Sequence, residues 1–192
     1  MPRPSVKEEI VAAARTLLHE RGFNATGVQD ITDAAGVPKG SFYNHFKSKE
    51  ALGVEALERY WQMVQTSLET LKDGEAPALT RLKGYFHALN EVARRAKYRP
   101  GCMIGNFGSE ISDQSPLVRD WLAETMKKWT KSIEDCVRAA QKEGSLRRDL
   151  DARTVAAFLL NSWEGAVMRS KVDRNASALE AFEKVAFAAL TI

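Results

Sequence analysis

Apolar residues recur every three or four positions along most of the chain, a spacing that predicts α-helices throughout. The first segment, residues 5–21, carries Ile10, Ala14 and Leu17 on one face and ends at Gly22. Later segments predict helices over residues 48–71, 77–97, 115–143, 151–172 and 177–190, and a short helical piece over residues 102–112. No stretch shows the alternation of apolar and polar residues that is typical of strands. The expected fold class is therefore all-α.

Two short helices joined by a tight turn are predicted between residues 26 and 46. Thr26 is placed to cap a helix that carries Val28 and Ile31 on its apolar side. Gly36 follows that helix and suits the positive φ of a tight turn, and Pro38 suits the first turn of the next helix. Two helices connected in this way form a helix-turn-helix motif, whose second helix lies in the DNA major groove.

The second short helix is expected to have one buried and one exposed face. Phe42 and Phe46 lie together on the side that faces the core. The opposite face holds Lys39, Ser41, Tyr43, Asn44 and His45. A face with an ammonium, hydroxyls and an amide suits contacts to phosphates and base edges. The sequence therefore predicts a DNA-binding protein, although Tyr43 and His45 would also fit a role in packing beneath the motif.

Overall charge adds little to this prediction. The 192 residues carry a formal net charge of +3, and the first 50 residues hold seven Lys and Arg against six Asp and Glu. The DNA-binding hypothesis therefore rests on where Lys39, Lys47 and Lys49 stand, and not on a basic composition. Two distant cysteines predict neither a disulfide framework nor a metal site. With no apolar leader or membrane span, we expect a cytoplasmic protein with no membrane partner, no metal and no cofactor.

The expected organisation is a helix-turn-helix DNA-binding domain over residues 1–50 and a helical effector-binding and dimerisation domain over residues 51–192. The helix that Ser48 opens would belong to both domains. Such a shared helix would turn a change in packing of the second domain into a tilt of the DNA-reading helices.

The last two helices are candidates for a dimer surface, the second of them opened by an expected capping box of Ser177 and Glu180. Their apolar faces consist of Val155, Phe158, Leu159, Ser162, Val167, Leu179, Phe182, Val185 and Ala189. The same pattern would arise if these faces only closed the core of one chain. A homodimer fits the motif better, because a two-fold dimer reads a palindromic double-stranded DNA operator.

A glycine-rich segment, residues 99–110, stands out because its glycines disfavour the helix that its other residues form. Cys102 lies at the start of that helix, where the helix dipole and nearby basic residues would favour a thiolate. The plainer interpretation is that Cys102 is a small buried apolar residue. Cys136 lies mid-helix and is expected to serve packing.

Gly22-Phe23, Thr26 and the string from Lys39 to Glu50 resemble the TetR family of bacterial repressors. The resemblance implies that Lys39 and Ser41 face base edges. It also implies that Thr26, Tyr43, His45 and Lys49 hold backbone phosphates. The complete DNA-binding set predicted in this way is Thr26, Pro38, Lys39, Gly40, Ser41, Tyr43, Asn44, His45 and Lys49.

Residues 99–110 and 161–171 together resemble a subgroup of TetR-like repressors, which includes the repressor of N-ethylmaleimide reductase and the acrylate-responsive repressor. That resemblance implies an unknown small effector, electrophilic or oxidising, with Cys102 and Lys171 at matching positions. Phe107 and the pair Met103-Ile104 depart from the subgroup pattern. The expected effector pocket or sensor comprises Trp61, Phe86, Cys102, Met103, Asn106, Phe107, Trp129, Trp163 and Lys171, although each aromatic residue alone also fits a plain core.

Two other classes of function stay open at this point. A thiol-dependent enzyme would need a residue such as His87 within hydrogen-bond reach of Cys102. An effector-independent nucleic-acid-binding protein would have no effector cavity and little sequence preference. No phosphate-binding loop or catalytic motif favours an enzyme. We therefore expect a non-enzymatic, ligand-responsive repressor.

Overall fold

The computed structural model describes residues 5–192 and confirms the all-α prediction. Nine α-helices are present in that range, with a single 3-10 turn, Glu69–Leu71, after the fourth. The helices are α1 Val6–Arg21, α2 Val28–Ala35, α3 Lys39–His45, α4 Lys49–Leu68, α5 Ala78–Arg95, α6 Met103–Ile111, α7 Pro116–Lys142, α8 Ala152–Asp173 and α9 Ser177–Leu190. The only pairing of β type within residues 5–192 is an isolated antiparallel bridge between Leu146 and Thr191.

The chain divides into two compact units, and the divisions fall within α4 and α7. The first unit reaches Met63 and adds residues 102–124, whereas the second unit comprises residues 64–101 and 125–192. Helix α6 and the start of α7 thus belong to the same compact unit as the N-terminal helices. The assignment of DNA binding to residues 1–50 and of effector binding to residues 51–192 stays a prediction about function.

In the first unit, α1 begins as its sequence predicts. The Ser5 hydroxyl accepts a hydrogen bond from the Glu8 backbone N–H, and the Glu8 carboxylate accepts one from the Ser5 N–H. This reciprocal capping satisfies two backbone donors that would otherwise lack partners. The helix ends at Gly22, and its apolar face joins α2, α3 and α4 in a core of Ile10, Ala14, Leu18, Ile31, Phe42, Leu52 and Leu57.

The start of α2 differs from the prediction. Gly27, and not Thr26, is the N-cap residue, and the Asp30 carboxylate accepts the Gly27 N–H at 2.7 Å. The Thr26 side chain is completely buried, and its hydroxyl donates to the Gly22 carbonyl at 2.8 Å. The cap prediction for Thr26 was wrong because that hydroxyl serves the end of α1 instead of the start of α2.

The second unit has an aromatic core whose polar atoms are hydrogen-bonded. Trp129 Nε1–H donates to the Tyr85 hydroxyl at 2.7 Å, and Trp163 Nε1–H donates to Asn90 Oδ1 at 3.0 Å. Asn90 Nδ2 in turn donates to Glu183 Oε1 at 2.7 Å. Because buried polar groups are costly when unsatisfied, these bonds fix how α5, α7, α8 and α9 pack within the unit.

Helices α8 and α9 pack against each other and leave other faces uncovered. Most of the residues predicted for a dimer face are buried within the chain, namely Val155, Leu159, Val167, Leu179 and Phe182. Phe158 and Val185 are instead 52% and 65% exposed. The expected capping box of α9 is also absent, because Ala176 is the N-cap residue and makes no side-chain bond to the helix.

Candidate nucleic-acid interface

The turn between α2 and α3 has the geometry that the sequence predicts. Gly36 lies in the left-handed region, with φ 68° and ψ 30°, and Val37 N–H donates to the Thr32 carbonyl at 3.0 Å. A glycine reaches this conformation at little cost, whereas a side chain there would be strained. Pro38 is the N-cap residue of α3, one position earlier than expected. The turn thereby sets the direction of α3 relative to α2 within the first unit.

Helix α3 presents one polar face to solvent. Phe42 and Phe46 are buried, and their rings lie 5.6 Å apart. The exposed residues on and beside the helix are Pro38, Lys39, Gly40, Tyr43, Asn44, His45 and Lys47, while Ser41 is half-buried. Tyr43 is 64% exposed, so the residue lies at the surface and is not packed beneath the motif. An ammonium, an amide, an imidazole and hydroxyls therefore project from a helix fixed by two buried rings.

Gly40 stands in the first turn of α3 with open space around it. A Cβ atom built there would meet nothing within 4 Å. Glycine lowers helix stability by roughly 1 kcal/mol relative to alanine, and no packing contact in the protein explains it here. A bare backbone at this point is what a closely approaching phosphate or base edge would require.

Two of the predicted phosphate-binding residues face inward. Thr26 is buried, as described above, so its hydroxyl is not presented to a ligand. Lys49 Nζ donates to the Phe23 and Thr26 carbonyls, each at 3.1 Å, and lies 4.2 Å from the centre of the Phe23 ring. In this arrangement both side chains hold the α1–α2 turn, and the contacts of Thr26 and Lys49 to phosphates stay a prediction.

Several residues close to this surface were not predicted from the sequence. Gln29 and Asp33 are exposed on α2, and Gln29 Nε2 donates to Asp33 Oδ1 at 2.6 Å. Their spacing of four residues on the polar side of α2 is the signal that indicates this pairing. At the start of α4, a hydrogen bond from the Ser48 hydroxyl lowers the pKa of Glu50, and bonding to its own backbone N–H contributes further. Glu50 is thus a carboxylate at neutral pH.

The predicted effector residues divide between the two units. Trp61, Cys102, Met103, Asn106 and Phe107 belong to the first unit. Cys102 is the N-cap residue of α6, as expected, and its side chain is buried. The Tyr60 hydroxyl points toward Cys102 Sγ at 3.9 Å, and His19 stacks edge-on against the Tyr60 ring.

Phe86, Trp129, Trp163 and Lys171 belong to the second unit. The three aromatic side chains are buried, and the Trp129 and Trp163 rings lie 5.8 Å apart. They belong to the hydrophobic core of the second unit, and their role in an effector pocket stays a prediction. A separate cavity of about 820 Å³ lies between α5 and α9. Its lining contains none of the nine predicted effector residues and consists of Thr80, Lys83, Gly84, His87, Glu180, Glu183, Lys184, Phe187, Ala188 and Thr191.

His87, the example given above of a partner for a catalytic thiol, lies in the second unit, with its Nδ1 3.5 Å from Glu183 Oε1. Across residues 5–192, no group of three or more His, Cys, Asp or Glu side chains is arranged to hold a metal ion. None of the helices described is long and apolar enough to cross a membrane.

Comparison with known families matches both parts of the chain. Residues 10–56 match the family described as "Bacterial regulatory proteins, tetR family". Residues 78–186 match the family described as "Tetracyclin repressor-like, C-terminal domain". The two matches include α3 with its polar face and the helices of the second unit.

Individual relatives are similar over four fifths or more of their length. The HTH-type transcriptional repressor DhaR of Mycobacterium sp. (strain GP1) is 42% identical over 191 residues, which is 99% of this chain and 94% of the relative. The transcriptional regulator AcuR of Cereibacter sphaeroides is 31% identical over 178 residues, 92% of this chain and 81% of the relative. The crystal structure of the reduced form of Escherichia coli NemR superposes with a TM-score of 0.85 at 28% identity, covering 97% of this chain and 98% of that one.

Proposed function

The chain belongs to the TetR family of bacterial regulatory proteins, and we propose that it recognises its operator through Lys39 and Ser41 of α3. It is a DNA-binding transcriptional repressor of the ligand-responsive type found in that family. Its relatives DhaR and AcuR are a transcriptional repressor and a transcriptional regulator, which favours a regulator over an enzyme. The observation that carries the proposal is the exposed polar face of α3, held in place by the buried rings of Phe42 and Phe46.

Within this face, each side chain has a role set by its chemistry. Lys39, in the first turn of α3, would donate to acceptors on base edges. The Ser41 hydroxyl, two residues further along, would donate to or accept from base edges. Tyr43 and His45 would hold phosphates, which carry no sequence information but fix the position of the helix. Gly40 would allow the DNA backbone close to α3, and Pro38 and Asn44 flank the same surface.

We further propose that the repressor acts as a homodimer through exposed apolar stripes on α8 and α9. On α8 the exposed residues Phe158, Gly165, Met168 and Val172 follow one another at spacings of seven, three and four residues. On α9 the corresponding stripe is Ala181, Val185, Ala188 and Ala189. Exposed apolar residues with small residues between them suit close packing against a second copy. A two-fold dimer would then read a palindromic operator.

For the effector we propose a small electrophile that reacts at Cys102. The thiolate would add to the β-carbon of an α,β-unsaturated carbonyl, and the α-carbon would take up the proton. Two observations support this choice: Cys102 begins α6, where the helix dipole favours an anion, and the Tyr60 hydroxyl points at its sulfur.

Release of DNA would follow from a difference in affinity between two states. The effector would bind more tightly to the conformation that cannot span both operator half-sites. The ratio of its affinities for the two conformations sets the largest factor by which it can lower operator affinity. Helices α4 and α7 each contribute residues to both compact units. A shift of either helix would therefore displace residues of both units.

The test of the DNA-reading role compares two substitutions on two DNA duplexes. We expect Lys39→Ala to weaken binding to a selected operator about 10- to 100-fold and to a scrambled duplex much less, because a lost base contact costs about 1–3 kcal/mol. Tyr43→Phe should weaken both to a similar extent, since phosphate contacts are independent of sequence. Gel shifts at one fixed salt concentration give the four affinities. Equal losses on both duplexes for Lys39→Ala would remove its base-reading role.

A further inference from the structure

The α1–α2 turn, residues 22–26, is held by the last turn of α6. The Asn24 backbone N–H donates to Glu110 Oε2 at 3.1 Å, and Asn24 Nδ2 donates to the Glu110 carbonyl at 3.4 Å. Both partners belong to the first compact unit. A carboxylate that accepts a backbone N–H makes a charge-assisted hydrogen bond, which is stronger than a bond between neutral groups. Glu110 therefore fixes the segment from which α2 and α3 begin.

Gly22 fits this contact closely. Its φ of +91° lies in the region that disfavours side chains, and a Cβ atom added there would collide with the Glu110 carboxylate. The absence of a side chain at residue 22 thus serves two purposes. It permits the backbone conformation that ends α1, and it leaves room for the carboxylate to reach Asn24.

The opposite side of the same turn is held by α4. Lys49 Nζ binds the Phe23 and Thr26 carbonyls, so the turn has its N–H satisfied by an anion and its carbonyls by a cation. The Phe23 ring packs edge-on against Phe107 of α6, with ring centres 5.5 Å apart. Phe107 and Glu110 are three residues apart and hence share one face of α6. Two residues of α6, Phe107 and Glu110, and one residue of α4, Lys49, therefore meet at this turn.

We propose that Glu110 is a positioning residue through which α6 holds the DNA-reading helices, and that it couples the state of Cys102 to them. Cys102 occupies the N-cap position of α6, and Glu110 lies in the last turn of that helix. A helix of nine residues spans about 13 Å, and a displacement of about 1 Å transmitted along it would break the 3.1 Å hydrogen bond between the Asn24 N–H and Glu110 at its end. The coupling rests on the proposed thiol chemistry, whereas the positioning role does not.

The first experiment uses Glu110→Ala and Glu110→Gln, with Ser109→Ala as the matched control because Ser109 is the exposed neighbour on α6. Glu110→Ala should bind the operator about tenfold more weakly, the equivalent of one charge-assisted hydrogen bond. Glu110→Gln keeps an oxygen acceptor and should stay within about threefold of the wild type. Ser109→Ala should bind as the wild type does.

Three readouts separate positioning from a loss of stability. In Glu110→Ala, hydrogen exchange of residues 22–27 should accelerate about tenfold while exchange in α5 and α8 stays unchanged. Binding to scrambled DNA should fall less than operator binding, and the slope of log affinity against log salt should stay the same, because Glu110 contacts no phosphate. Equal losses on both duplexes, or a Glu110→Gln variant as weak as Glu110→Ala, would overturn the positioning role.

The coupling is tested with N-ethylmaleimide as the probe. Alkylation of Cys102 in the wild type should raise the hydrogen-exchange rate of residues 22–27 to the rate seen in unmodified Glu110→Ala. Alkylation of the Glu110→Ala variant should not raise the rate in that variant further. Unchanged exchange in the wild type, or no adduct at Cys102, would overturn the coupling. If the wild type itself failed to prefer operator over scrambled DNA, the proposed function would fail, while the exchange data on Glu110→Ala would still decide whether Glu110 holds the turn.

Discussion

Assembly and folding are separable in this protein because the exposed and buried residues of α8 and α9 are different. Phe158 is 52% exposed in the single chain, whereas Phe182 is 7% exposed and its ring lies 5.2 Å from the ring of Phe86. We therefore predict that Phe158→Glu gives a helical monomer. Phe182→Ala should instead destabilise the fold by about 3–5 kcal/mol, as truncation of a buried Phe does.

The size of the assembly effect follows from the two-fold symmetry. Full burial of a Phe side chain is worth roughly 1.5–3 kcal/mol, so burial of its exposed half contributes about 1 kcal/mol per protomer. An unpaired carboxylate at the interface costs several kcal/mol more, and the symmetry places two of them there. A total loss above about 4 kcal/mol raises the dimer dissociation constant at least a thousandfold.

Light scattering at micromolar protein measures this directly. Phe158→Glu should have half the wild-type mass and a far-ultraviolet circular dichroism spectrum like that of the wild type. Its melting temperature should no longer depend on protein concentration, because the linkage to dimerisation is lost. Val185→Glu, on the exposed stripe of α9, should behave in the same way. A Phe158→Glu protein that stays dimeric would show that the interface lies elsewhere.

Three further predictions concern single residues. Gly40→Ala should stabilise the protein by about 0.5–1 kcal/mol in urea unfolding, and it should weaken operator binding in gel shifts. Unchanged operator affinity would mean that DNA does not closely approach the backbone of residue 40. Burial raises the pKa of the Cys136 thiol from 9.0 to about 11, so the unfolded chain loses this proton first and stability falls as pH rises from 9 to 11. Urea unfolding should show the wild type losing up to about 2 kcal/mol more over that range than Cys136→Ala, and parallel curves would contradict the shift. An unsaturated carbonyl should release the wild-type protein from the operator, and mass spectrometry should show one adduct per chain. Cys102→Ser should stay bound, whereas Cys136→Ala should respond like the wild type. Release of Cys102→Ser would mean that Cys102 serves packing only.

Helix positions were predictable because their causes are local. Ser48 Oγ accepts the Ala51 N–H and Ser115 Oγ accepts the Val118 N–H, as the sequence of each helix start indicates. The Gly36 turn follows from the conformational freedom of one residue, and the inward direction of Phe42 and Phe46 follows from their spacing. All of these features depend on contacts within a few residues along the chain.

Burial that depends on distant parts of the chain was not predictable in the same way. Helix α8 carries apolar residues on most of its circumference, so periodicity alone does not tell Phe158, which is exposed, from Leu159, which is buried. Thr26 has a residue type suited to capping, but its hydroxyl bonds to Gly22 at the end of α1. Lys49 likewise has the charge to bind a phosphate, yet its ammonium is held by the carbonyls of the α1–α2 turn. Only the packed structure decides which partner such a side chain takes.

Gly108 of α6 gains an explanation when the two ends of the helix are considered together. Gly108 has open space around it, so no close approach of another element accounts for it, and it lowers the stability of a helix that is only nine residues long. A helix so short is marginal by itself and depends on contacts at its ends and along its buried face. Those contacts are the burial of Cys102 and Met103 at one end and the bonds of Glu110 at the other. A helix with weak intrinsic stability shifts at low cost when one end is modified, which is the property that a coupling element between a sensor thiol and a DNA-reading turn requires.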